Sequence, residues 1–486
     1  MTRSIAYDRK NEATLSRGRR RDDGGPIPLR LLTVASRSSS NRHSYNNNTM
    51  GQIVSLPYKL AQHTWTFYRG FYHYWIGPGR HSDYGPFLQA KETDSEDRKL
   101  FLQHANIHLF SLASNFYLYR KPHYRKGSYR DDLLDNLRNV AIPGTGIPLS
   151  IIARSRLRAL WFLAFVYPKV CLVAALQQWW KKGTSISDEF ATRLLAPDDW
   201  FSYWRLNCNV VGLHALLNDM PDDYEMENKW TFLQEGAHRG VPVSPFLTTP
   251  ALVLKHRNEE GGMGIHFFRN ATDGGDWIIQ ERIQNSDWVA SLLPPTAPLS
   301  TFRVITCSRG CVRKEANAKD VRALSCVFRA GRAGAATDHD SILFDVDVHS
   351  GLIRGGTTNA HWYRLGLTQV LPGRCPWRSS HSYTTHPDGD IVVAGNYVPD
   401  VDAMLKLVEE SHFKLCPKVP LAGWDVVFSA DKKHPVCLLE VNLSCNFFRG
   451  SFDKAVYLDF VDEVFTDVQA KRLVADREGK VFKVQQ

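Results

Sequence analysis

The chain has 486 residues, 43% of them hydrophobic and 12% aromatic, enough apolar surface for a sizeable core and two or three domains. Its charge of +10 is uneven: residues 1–49 hold ten Lys/Arg against four acids, leaving only +4 for the rest. A folded part so close to neutral, with no concentrated basic face, argues against nucleic acid as a partner. Nine scattered cysteines in so long a chain argue against a disulfide framework and fit reduced, cytoplasmic thiols.

Residues 1–49 read as a disordered basic tail rich in Arg, Ser and Asn, too poor in apolar side chains to offset its ordering entropy. Met50-Gly51-Gln52-Ile53-Val54-Ser55 matches a myristoylation pattern, which acts only where Met50 is the initiator. Residues 50–185 form a helical, aromatic N-terminal region, irregular in texture over 51–150. Within it Ala159–Leu176 is an apolar run flanked by Arg154, Arg156 and Arg158 and by Trp179, Trp180, Lys181 and Lys182. Pro168 and Lys169 at its centre favour a helix–turn–helix or interfacial segment, with peripheral membrane contact, over a true span.

From residue 186 the texture changes. Helices are expected over 199–217 and 228–238, followed by short strands at 251–255, 265–268, 276–283, 302–307, 321–329, 424–429 and 436–442, with one helix at 402–413. Helices first and a mainly antiparallel region afterwards give the α+β class. Residues 186–465 are expected to be the catalytic domain and 466–486 a C-terminal tail.

The sharpest chemical signal is Trp424-Asp425-Val426-Val427-Phe428 followed, across a polar turn, by Leu439-Glu440-Val441-Asn442. A hairpin centred near Lys432 and Lys433 sets Asp425 opposite Glu440 and puts Glu440 and Asn442 on one face. Two facing carboxylates repel without a cation, and hard oxygens of this kind suit Mg²⁺. The bland alternative is a solvated polar face on an edge hairpin. Lys255 ends an apolar run ahead of Gly261, Gly262 and Gly264, a composition that holds phosphate but also makes an ordinary glycine turn. Ile278-Ile279-Gln280-Glu281-Arg282-Ile283 reads either as a strand edge for adenine, with Asp287 beyond it for ribose, or as an exposed strand end.

In this order, the pieces resemble the ATP-grasp superfamily, and within it the sugar-transfer-associated group related to α-L-glutamate ligases. The likeness rests on Asn228-Lys229-Trp230-Thr231-Phe232, Gly240-Val241-Pro242-Val243-Ser244-Pro245, Ser300-Thr301-Phe302-Arg303-Val304, His386-Pro387-Asp388-Gly389, Val398-Pro399 and the two runs around Asp425 and Glu440. It covers residues 186–465. The resemblance implies two α+β lobes enclosing ATP, with Lys255 and the Gly261, Gly262, Gly264 loop on the phosphates. It implies Gln280, Glu281 and Ile283 at adenine, Asp287 at ribose, and Asp425, Glu440 and Asn442 on one or two Mg²⁺. Arg303 and Arg329 would face the transferring phosphate and the acceptor. The implied activity is ATP-dependent ligation of a carboxylate to an amine, on a small-molecule or glycan-linked acceptor. A kinase or a non-catalytic nucleotide-binding scaffold on the same fold stays open.

Overall fold

In a computed structural model the described residues are 49–125, 127–136, 150–258, 263–338, 341–358, 383–443 and 450–482. The chain divides into two compact units, Met1–Gln52 and Ile53–Gln486. Nearly all of the first, including the expected basic tail, lies outside the described residues. The second holds the strands and nearly all of the described helical residues.

Within the N-terminal region expected to be helical and aromatic, the stretch of irregular texture also contains long helices. Phe67, Phe71 and Tyr74 recur at helical spacing and are buried, so helix α1 (Thr49–Trp75) presents one aromatic face to the core. Ser95 accepts a hydrogen bond from the Arg98 N–H and, with Glu96 and Asp97 in the first turn, starts α2 (Glu96–Leu118). The apolar run beyond is one helical course rather than a helix–turn–helix: α3 (Arg156–Trp161), a π-turn (Phe162–Val166) and α4 (Tyr167–Lys182). Pro168 has no N–H for the Ala164 carbonyl four residues before it. The wider π-turn accommodates that loss, and the Tyr68 hydroxyl donates to the Ala164 carbonyl in its place. Helices α5 (Ile186–Leu195), α6 (Trp200–Leu217) and α7 (Lys229–His238) come next.

Among the described residues ten strands lie beyond: β1 (Ala251–Lys255), β2 (Ile265–Arg269), β3 (Thr301–Ser308), β4 (Val321–Ala330), β5 (Ile342–Val346), β6 (Ile353–Thr358), β7 (Thr385–His386), β8 (Ile391–Val392), β9 (Leu421–Phe428) and β10 (Val436–Asn442). Between them come α8 (Asp287–Ser291) and α9 (Val401–Leu415), and α10 (Lys454–Arg477) closes the chain. Six strands form one antiparallel sheet in the order β10-β9-β3-β4-β5-β6, while β1-β2 and β7-β8 are separate two-stranded pairs. The architecture is α+β, as composition and pattern indicated.

Alternation divides the large sheet. Phe302, Val304 and Thr306 on β3 stand opposite Val426, Trp424 and Ala422 on β9, and all six are buried. Helix α9 covers β3, β4 and β9; His412 on α9 hydrogen-bonds Thr306 at 2.7 Å, and the Trp424 indole N–H donates to the same hydroxyl. Burial pulls the His412 imidazole down to about 4, so it sits neutral in this packing at physiological pH. The other face of the sheet carries the charged residues.

Two expectations are corrected. Residues 276–283 are no strand: the segment is extended and held by isolated bridges, Trp277 with Asn270 and Gln280 with Phe246. Residues 466–477 are no tail either. They are the second half of α10, whose Phe460, Val461, Val464, Phe465 and Val468 are buried. Phe465 meets Phe110 of α2 with ring centroids 4.7 Å apart, and the Tyr457 hydroxyl reaches Asn207 of α6. The N-terminal helices therefore share one hydrophobic core with the sheet through α10.

Candidate functional site

The charged face of the sheet is set by register. Arg303 on β3 stands opposite Asp425 on β9, Asp425 stands opposite Glu440 on β10, and Thr301 stands opposite Arg329 on β4. With a period of two, Arg303, Arg329, Asp425, Glu440 and Asn442 all project to the side away from α9, while Val441 turns into the core. A bulge makes this possible. Nearer the turn, Cys437 pairs with Val427 and Leu438 with Val426; continued unbroken, that register would put Leu439 opposite Asp425 and send Glu440 into the core. The one-residue shift between Leu438 and Glu440 brings the carboxylate round to face Asp425.

These side chains form a continuous ionic network. Both Asp425 oxygens accept from Arg303, Oδ1 from Nε and Oδ2 from a terminal guanidinium nitrogen at 2.9 Å, a fork that fits a carboxylate bidentately. Arg329 donates to the same Oδ2 at 3.3 Å and to Asp338 at 2.9 Å, and Asp338 also accepts from the Thr301 hydroxyl at 2.6 Å. On the far side, Glu440 pairs with Lys229 at 2.7 Å and accepts from the Asn442 amide at 3.2 Å. Burial pushes the Asp425 carboxyl up, but the guanidiniums of Arg303 and Arg329 outweigh it and hold it below the usual carboxylate range. At Asp338 the balance is reversed: burial wins over Arg329 and Thr301, and its carboxyl is raised.

The network changes the charge count. Facing acids needed a cation, and the protein supplies three, since Asp425, Glu440 and Asp338 are matched by Arg303, Arg329 and Lys229. Among the described residues no group of three or more His, Cys, Asp or Glu side chains is placed to hold a metal. The oxygen donors Asp425, Glu440 and Asn442 are the right chemical type for Mg²⁺. As built, however, the Asp425 oxygens are occupied by arginine, so repulsion between Asp425 and Glu440 no longer argues for a metal.

The remaining expected residues lie apart from this wall. Lys255 ends β1 and is exposed, with Ile265 as its register partner. Among the described residues no hydrogen bond or ion pair joins it to the Asp425 network. Gly261 and Gly262 lie outside the described residues, while Gly264, at φ +66°, takes the left-handed turn that returns the chain into β2, its carbonyl accepting from His256 N–H at 2.9 Å. The Gln280 amide donates to the Ser244 hydroxyl, and the Glu281 backbone N–H is already given to Pro245 O at 3.2 Å. Glu281 is exposed and Ile283 half-buried. Asp287 is the exposed first residue of α8, behind the cap Ser286.

His386-Pro387-Asp388-Gly389 acts locally. Asp388 takes Arg332 and the Ala333 N–H, which hold its carboxyl down at about 2, and His386 bonds Gly331 O at 3.0 Å. Sequence reading missed Lys229, Asp338 and Thr301. Lys229 and Thr301 lay inside phrases already singled out, but only the packing of α7 on β10 and the β3–β4 register show that they reach the network.

No protein-family model and no curated protein matches this chain. Among solved structures it is similar to the ATP-grasp ligase PsnB complexed with minimal precursor, at 11% identity over 59% of this chain and 74% of that one, TM-score 0.24. It is also similar to the L-amino acid ligase from Bacillus licheniformis, at 11% over 57% and 54%, TM-score 0.22. The third is D-alanyl-alanine synthetase A from Vibrio cholerae O1 biovar eltor, at 10% over 53% and 74%, TM-score 0.25. Scores this low carry no weight for fold or activity, and the functional reading rests on the residues themselves.

Proposed function

We propose that this chain is an ATP- and Mg²⁺-dependent ligase of the ATP-grasp type, which activates a carboxylate by phosphorylation and passes it to an amine or similar nucleophile. The observation that carries the reading is the wall of Arg303, Arg329, Asp425, Glu440 and Asn442, assembled in register on one rigid sheet face from segments far apart in the chain. An acyl-phosphate route must bring a carboxylate against a triphosphate, so like charge accumulates during transfer and has to be offset by fixed cations.

Arg303 and Arg329 are suited to that task because they stand poised on an exchangeable anion. Phosphate oxygens offer the guanidiniums a second partner with the same bidentate geometry that Asp425 now fills. Asp425 released in this way, with Glu440 and Asn442, would hold Mg²⁺, which supplies charge neutralisation on the phosphates. Cation and polyphosphate therefore enter as a pair. Lys255, on the exposed β1–β2 hairpin, would add a point charge on the phosphates from the opposite side. Gln280, Glu281, Ile283 and Asp287 are proposed for adenine and ribose on the strength of the resemblance, with the Glu281 N–H turned to Pro245 rather than outward.

The test is thermal denaturation with ATP, Mg²⁺ or both. Stabilisation by the two together exceeding either alone, and lost in Glu440→Gln, supports the reading; no shift in the wild type overturns it. Product analysis then separates a ligase, which releases a condensed product, from a kinase, which releases a stable phosphorylated one.

A further inference from the structure

The helical course Arg156–Trp180 has a solvent face that the nucleotide site does not use. It is 25 residues long and apolar enough to cross a membrane, yet only 22% of its most apolar window is buried, where a core helix would be mostly enclosed. Leu157, Trp161, Phe165, Val173, Leu176 and Trp180 are all exposed along it, Leu157 at 76% and Trp180 at 81%. The π-turn supplies the extra residue that keeps a stripe of mostly four-residue spacing on one side of the helix.

Charge says what covers this face. From Ser150 to Ser187 the sequence contains no Asp or Glu and six cations. Of these, Arg154, Arg156 and Arg158 are exposed at one end, Lys169 midway and Lys182 at the other end. Arg156 lies over the Tyr119 ring, and burial, then the neighbouring Arg120 guanidinium, pull its pKa below the ordinary value, as crowded cations do. Helix α1, joined to this course through Tyr68 and Ala164, is equally free of acids and exposes Tyr58, Trp65 and Tyr72 at seven-residue intervals.

We infer that the helical course Arg156–Trp180 docks flat on an anionic lipid bilayer, its exposed stripe entering the interface and its flanking arginines and lysines meeting the headgroups. The opposite face is committed to protein. Cys171, Ala174 and Ala175 are buried, the Tyr167 hydroxyl donates to Arg193 O at 2.9 Å, and α4 packs on α5, which carries Asp188, Glu189 and Arg193. A span would carry those charges into hydrocarbon, whereas an in-plane helix leaves them in water. This inference is independent of the nucleotide reading and stands if that reading fails.

The test is co-sedimentation of the full chain with phosphatidylcholine vesicles, with and without roughly 30% phosphatidylserine, at low and high salt. Binding should need phosphatidylserine, weaken several-fold in high salt, and fall at least tenfold in Trp161→Ser/Phe165→Ser. Arg156→Glu/Arg158→Glu should lose the binding that phosphatidylserine confers. Trp180→Ser, a single change at the most exposed tryptophan, serves as a second variant should the pair disturb folding, and unchanged far-ultraviolet dichroism checks each. No binding, or equal binding by wild type and variants, overturns the inference. So does a concentration-dependent dimer that the same substitutions abolish, which would put a second copy on the stripe. Retention through alkaline carbonate washing would overturn the flat placement in favour of a span.

Discussion

The six-stranded sheet and the β1–β2 hairpin handle charge in opposite ways. On the sheet, Asp425 is buried between two arginines, and its position follows from pairing with β3 on one side and β10 on the other. On the hairpin, Lys255 hangs from a two-stranded pair whose residues are mostly exposed on both faces. Two isolated strands without a buried face have little stability of their own, so on the proposed reading Lys255 would be positioned by the nucleotide it meets, whereas Arg303 and Arg329 are held in place by Asp425. The proposed site would then have one preorganised wall and one that pays its ordering entropy on loading.

The contrast between the two walls breaks most sharply at Asp425. Asp425→Ala strands two half-buried guanidiniums and is expected to lower the unfolding free energy by about 3–5 kcal/mol in urea denaturation; a loss below about 1 kcal/mol would mean that the network anchors nothing. Lys255→Ala is the counter-test from the hairpin. Without nucleotide it should leave stability within about 0.5 kcal/mol, but it should lose much of the ATP-dependent stabilisation, which on the proposed reading would be about 2.7 kcal/mol for the wild type at a hundredfold excess over Kd. An equal ATP shift in wild type and variant would remove Lys255 from the site. Glu440→Gln breaks a pair with a largely exposed lysine, so its cost should be under about 1 kcal/mol, with the Mg²⁺ effect abolished.

Acid sensitivity gives the finest contrast. The folded Asp425 carboxyl is held below its unfolded value of about 3.9, so its contribution is present above that pH and fades as pH falls through the folded value. Asp338, raised in the fold, has the opposite sign: its contribution is full below the unfolded value and is lost as pH rises through the folded one. Stability measured from pH 7 downwards should therefore fall less steeply at the acid end in Asp425→Asn than in wild type, and Asp338→Asn should steepen it. Matching slopes in all three would discount the network's electrostatics.

Local pattern carried much of the fold. The strands around Arg303, Arg329, Asp425 and Glu440 were legible because alternating apolar residues bounded by polar turns specify extended chain, and the Asp425–Glu440 pairing followed from hairpin symmetry. The bulge that delivers Glu440 to the right face was not, since nothing in Cys437-Leu438-Leu439-Glu440 marks which residue is extra. The N-terminal region was expected to be helical in part, but the individual helices over 49–75 and 96–118 were hidden by clustered aromatics, although Phe67, Phe71 and Tyr74 sit at helical intervals. Ile278–Ile283 has strand composition, yet it lies beside the sheet with only isolated bridges to pair it. At the site, residue types were readable but partners were not: that three of the protein's own cations already neutralise the acids depends on contacts of β3 and β4 with β9 and of α7 with β10 that no sequence interval encodes.

Helix α10 has a consequence for how the molecule comes into being. Its buried aromatic side chains fill the space between α2 and α6, so a nascent chain that has emerged as far as Asn442 can pair the strands of the sheet but lacks the piece that closes the helical layer over it. Until α10 leaves the ribosome, Phe110 and Tyr84 lack their Phe465 contact. Closure of the helical layer therefore waits for α10 to emerge, leaving an interval in which chaperones would find an open apolar seam.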